Sequence, residues 1–219
     1  TLTKLNKHPK VVSVVHTQEF HEGRDLNLVY NEALKRNPDW CINLDVDEIF
    51  EERVTYENFH KLTETKLYNY IRFRRFHLFY DKEHYGAGWH NFWELTRPSR
   101  KIWKVKQGLR FPDRKIHCAS ILGLSGLFKI SSFRIKHLCN LELEYRLKAY
   151  ENYQKVDPTH KEFYKWHAEI IQKKDYKVWK FYNHDEHTIK VNLIHVFLNL
   201  MYIPYNLLKP FIFLTKKFK

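Results

Sequence analysis

Residues 40–50 read WCINLDVDEIF, and they hold the side chains of this chain best suited to chemistry. A strand-type apolar run at 41–44 stops at Asp45, Asp47 and Glu48. Ionised carboxylates are costly to desolvate unless paired or metal-bound, so these acids are a poor continuation of a buried strand. If the run stays extended through Asp47, the two aspartates share a side, because strand side chains alternate with period two. Two hard carboxylates side by side repel, and a divalent cation such as Mg²⁺ or Mn²⁺ relieves the repulsion. Mg²⁺ takes only one or two protein carboxylates and leaves its other positions to water and substrate phosphate oxygens. An exposed acidic turn after a strand is the alternative.

The surrounding elements favour a site. Residues 10–15 (KVVSVV) predict a buried strand, followed by a loop carrying His21 and Glu22. Residues 24–36 place Leu26, Val29, Tyr30, Ala33 and Leu34 on a helical stripe, and Asn37-Pro38-Asp39 stops it. Strand, helix and strand with short connections predict a parallel α/β unit, in which ligands bind beyond the carboxyl ends of the strands. The acidic run stands at such an end.

Further along, 51–66 reads as an exposed charged stretch, and 67–73 and 76–80 as two strands with Arg72, Arg74 and Arg75 between or within them. Those arginines are solvated or face phosphate. Residues 84–93 combine Gly86 and Gly88 with Trp89 and Trp93: a close-approach ligand loop, or a turn beside two core tryptophans. A loop at 94–100 and a short strand at 101–106 follow. Asp113, Arg114, His117 and Cys118 share a polar bend, and 132–137 (SFRIKH) predicts the domain's last strand. Helices are expected at 142–155 and 160–173, whereas His184, Asp185, Glu186 and His187 read as surface.

The 219 residues fit one domain with an appendage. The net charge of +13 favours anionic partners: nucleic acid, phosphorylated substrates or an anionic membrane. No helix-turn-helix, zinc-finger or RNA-binding motif accompanies that charge, so no specific nucleic acid is expected. Cys41, Cys118 and Cys139 are an odd, widely spaced set without C-x-x-C, so neither a disulfide framework nor a structural zinc site is indicated, and a reducing, cytoplasmic setting is the simplest inference. Residues 191–219 are strongly apolar but broken by Pro204 and Pro210, and they end in Lys216, Lys217 and Lys219. They are read as a pair of interfacial helices on an anionic membrane, with packing against a missing domain or a partner subunit as the alternative.

Together these motifs resemble a bacterial-type family 2 glycosyltransferase of GT-A fold. WCINLDVDEIF is similar to that family's strand and D-x-D metal motif, and RDLNLVYNEALKR to the helix before it. RKIHCAS and RIKHLCNLELEYRLKAYENYQKVDP resemble two later family segments, so the likeness covers most of residues 10–160. It implies an α/β fold: a Rossmann-like mixed sheet flanked by helices, to which the C-terminal helices read above would be added. It implies a partial catalytic domain at 1–140; a helical extension at 141–188 and a membrane-associated or partner-binding tail at 189–219 follow from the residues themselves. The implied activity is inverting, metal-dependent sugar transfer from a nucleotide-diphosphate sugar to a glycan or lipid-linked acceptor, at the inner face of the membrane. Asp45, Asp47 and His137 would hold Mn²⁺ or Mg²⁺; Glu48, Gly86, Gly88, Trp89 and His117 would contact donor or acceptor.

Two departures from the family pattern stand out. The acidic D-x-S-x-D segment that grips the nucleotide would precede Thr1, so the chain is expected to be partial. Many inverting relatives carry a carboxylate near the position of Cys118, and Asp113 and Glu94 are the substitutes for that base. A non-catalytic remnant of the same fold, serving as an interaction or targeting module, is the alternative.

Overall fold

The computed structural model describes residues 7–86, 98–116, 118, 120–158 and 178–180. Helix α1 (Glu22–Leu34) starts where His21 Nδ1 accepts a hydrogen bond from the Arg24 amide, and Glu22 and Asp25 oppose the positive end of its dipole. Its chain reverses at Asn37, whose φ of 49° is one asparagine tolerates, just before Pro38. Helix α2 (Tyr56–Thr63) opens on a reciprocal capping box between Thr55 and Asn58. Helix α3 (Leu143–Val156) follows the long strand β6 described below.

The sheet contains β1 (Trp40–Ile42), β2 (Glu48–Phe50), β3 (Tyr70–Phe79), β4 (His84–Gly86), β5 (Ser99–Lys104), β6 (Phe128–Asn140) and β7 (Val178–Lys180). Its path runs β1-β5-β3-β4-β7, and β6 joins β3 to β2. Only the β3–β6 pair is parallel among the described strands; the others are antiparallel. β3 is the spine, buried along nearly its whole length because neighbours cover both its faces. On one face Tyr70 and Trp103 meet Tyr30 of α1, with Leu109, Phe111 and Ile121 closing the cluster. On the other, Ile71, Phe73, Ile102 and Ile135 meet Leu62 of α2. The molecule is a mixed α/β structure with a curled mixed sheet.

Several sequence expectations are corrected. Residues 10–15 form no strand: Val12 is exposed, and the Val11 amide bonds back to His8 instead of to a neighbouring strand. With no strand at 10–15, and with β1 paired antiparallel to β5, no parallel strand-helix-strand unit forms among the described residues. The two strands expected at 67–73 and 76–80 are one, because the arginines between them are accommodated inside the sheet. Arg72 lies over the Phe128 ring at 4.6 Å, and Arg74 is buried. Burial, then the charge of Arg134, pulls the Arg74 guanidinium down to about 10. The stretch 51–66 is not wholly exposed, since α2 lies within it and Glu51 is buried, receiving the Arg134 amide and Nε. Residues 191–219 lie outside the described residues; among those described, no helix is long and apolar enough to cross a membrane.

Candidate functional site

The acidic run does not stay extended. After β1 the chain makes a tight turn, in which the Glu48 amide donates to the Asp45 carbonyl at 2.9 Å. Glu48 then opens β2 directly opposite His137 on β6, and β6 in turn sets His137 beside His77 on β3. One level of three adjacent strands thus carries Glu48, His137 and His77. The turn is tied down from the far side as well, the Leu138 amide donating to the Asp47 carbonyl at 2.8 Å.

The three acids have different fates. Glu48 is fully enclosed: its carboxylate meets Lys101 Nζ at 2.6 Å and Arg75 Nη1 at 3.1 Å, and Oε2 accepts from the Asp45 amide. Burial pushes this carboxyl up, but the charge and hydrogen bond of Lys101, then Arg75, outweigh it and hold it below the usual range. Asp45 and Asp47 stay about half and one-third exposed, their side chains reaching Lys101 at 3.5 Å and His137 Nε2 at 3.1 Å respectively. Burial raises the Asp47 carboxyl, yet the His137 hydrogen bond and charge prevail and depress it. Burial pulls His137 down, but its bonds to Asp47 and Cys139 prevail and raise it to about 9.

Behind His137 lies a second group. His77 Nδ1 is 2.9 Å from His137 Nδ1, and Cys139 Sγ lies 3.4 Å from the latter and 3.7 Å from the former. Sequence reasoning missed His77 and Cys139. For Cys139 the signal was present, since His137 and Cys139 are two apart on a strand and share a face; for His77 it was not. Tyr153 of α3 was missed too. Burial first, and then the charges of Cys139, Asp47, Glu22 and Asp45, push its phenol up.

The loop after β5 approaches from α1. The Gly23 amide donates to the Arg114 carbonyl at 2.9 Å, and a Cβ on Gly23 would stand 2.0 Å from the Pro112 carbonyl oxygen. This contact brings Glu22 Oε1 to the Cys118 amide at 3.1 Å. Asp113 itself is 90% exposed and lies 3.5 Å from His21. Gly86 ends β4, whereas Gly88, Trp89, Glu94 and His117 lie outside the described residues.

The chain matches no protein-family model and no curated protein. Fold and site define a class only: a mixed α/β protein with an acidic turn at the end of β1, backed by a histidine from β6.

Proposed function

We propose that the chain carries the machinery of a GT-A-type, metal-dependent inverting glycosyltransferase. It would move sugar from a nucleotide-diphosphate sugar to a glycan or lipid-linked acceptor. The observation that carries this reading is the 3.1 Å meeting of Asp47 and His137 beside a second, solvent-facing aspartate. Asp45, Asp47 and His137 would hold Mn²⁺ or Mg²⁺: the carboxylate oxygens suit such hard ions, and partial exposure leaves room for water and phosphate oxygens. The three do not converge as they stand, since among the described residues only His77, His137 and Cys139 bring three such ligand atoms within 4.8 Å of one another, so the ion would have to draw Asp45 inward. Bound there, the cation would offset charge developing on the leaving diphosphate.

The other roles fall to the chain itself. Glu48, clamped by Lys101 and Arg75, fixes the turn so that Asp45 and Asp47 face outward. A carboxylate within hydrogen-bond reach must take the acceptor's proton. Asp113 and Glu94 are the sequence candidates, and Glu22 joins them because it stands against Cys118, where relatives of the resembled family carry the base. The apolar tail would hold the site at a membrane bearing its acceptor.

Turnover tests this reading. Release of nucleoside diphosphate from UDP-, GDP- or dTDP-sugars should need Mn²⁺ and fall about 100-fold or more in Asp47→Ala. Metal-independent or unchanged release would remove the metal role. A non-catalytic reading draws on one observation: Lys101 and His137 already supply cations to the acidic turn. It predicts no metal-dependent binding of any nucleotide sugar.

A further inference from the structure

We infer that His77, His137 and Cys139 form a site for a thiophilic divalent cation, Zn²⁺ by preference. Their facing atoms are separated by 2.9, 3.4 and 3.7 Å. On a tetrahedral zinc ion with ordinary bond lengths, two nitrogens stand about 3.3 Å apart and a nitrogen and a sulfur about 3.6 Å. The three atoms therefore already outline one face of such a tetrahedron, and closing it needs shifts of a few tenths of an ångström. Two imidazoles and a thiolate are soft and borderline donors, which select zinc over the hard ions suited to Asp45 and Asp47.

The scaffold favours the same conclusion. All three side chains come from β3 and β6, hydrogen-bonded neighbours in the middle of the sheet, not from loops. His77 is buried while His137 and Cys139 are partly exposed, which leaves a route for the ion. His137 would bind through Nδ1, and its Nε2 then carries the proton donated to Asp47 at 3.1 Å. A carboxylate behind a ligating imidazole is the usual arrangement that fixes the ring's tautomer and strengthens the ligand. The three ligands leave a fourth position for water or another donor. Binding releases to solvent the thiol proton of Cys139 and any proton held on the ligating imidazole nitrogens, Nδ1 of His137 among them.

A histidine ligating zinc through Nδ1 keeps a proton on Nε2 and is lost as a ligand for an ion on Asp47. Zinc would therefore oppose Mn²⁺ binding; this consequence, unlike the zinc site itself, rests on the function proposed above.

Co²⁺, a spectroscopic substitute for zinc, tests the site in the full-length protein. One equivalent of Co²⁺ should produce a thiolate-to-cobalt charge-transfer band in the near ultraviolet, abolished by stoichiometric Zn²⁺. The band should disappear in Cys139→Ala, persist in Asp45→Asn, and persist in Asp47→Ala with Zn²⁺ affinity reduced about 10- to 100-fold. Its absence from the wild-type protein, which needs no variant to fold, would overturn the inference, as would an unchanged band in Cys139→Ala. A cobalt band in a protein that binds no Mn²⁺ leaves the zinc site standing and removes the transferase reading; Mn²⁺ binding without a cobalt band does the reverse.

Discussion

Asp47 and His137 stabilise each other's charged forms, and that coupling has a pH signature. In the folded chain His137 titrates at about 9, above its ordinary 6.5. Its contribution to stability is therefore complete below the ordinary value and is lost as pH rises through about 9. Asp47 is held below its ordinary 3.8, so its contribution is present above that value and disappears as pH falls further. Urea unfolding of metal-free protein should show stability declining between pH 6.5 and about 9. The decline should flatten in Asp47→Asn; an identical slope in both proteins would show that the pair is not coupled. At this scale the sequence was legible where chemistry is local: a D-x-D run announces itself. His77 was not, because nothing in its own neighbourhood distinguishes it from a core residue until β3 is laid beside β6.

The elements explain which residues meet. The β2–β6 register sets Glu48 opposite His137, and the turn before β2 leaves Asp45 and Asp47 outside. α1 and the strand β6 were readable from periodicity and apolar runs. The parallel unit was not, because residues 10–15 have strand composition but no ladder partner among the described residues, and composition does not specify a partner. β3 was split in two because its arginines looked like a solvent-facing break; ring stacking and ion pairing carry them through the sheet. The approach of α1 to the 111–118 loop depends on Gly23. Gly23→Ala would place a methyl 2.0 Å from a backbone carbonyl, which has no flexible end to yield. The loop should move and stability should fall by about 1–3 kcal/mol in denaturant unfolding. Sugar-nucleotide turnover should fall with it, since Glu22 sits one residue away; a fully stable, fully active variant would contradict the contact.

For the molecule as a whole, the charge of +13 and the basic, apolar residues 191–219 predict binding to anionic surfaces. Deleting 191–219 should abolish sedimentation with vesicles containing phosphatidylglycerol, and wild-type binding should weaken with added salt. Binding unaffected by the deletion would assign the interaction to the α/β body. The mixed α/β class was readable from sequence. The curl of the sheet was not, because it depends on how β6 bridges β2 and β3 over long separations.

The most direct measurement is Mn²⁺ titration of metal-free protein, followed by paramagnetic resonance. The account predicts one bound Mn²⁺ per chain, lost in Asp47→Ala and weakened in His137→Ala. Wild-type protein that leaves all added Mn²⁺ free, or an Asp47→Ala variant that binds it as well as wild type, would contradict it.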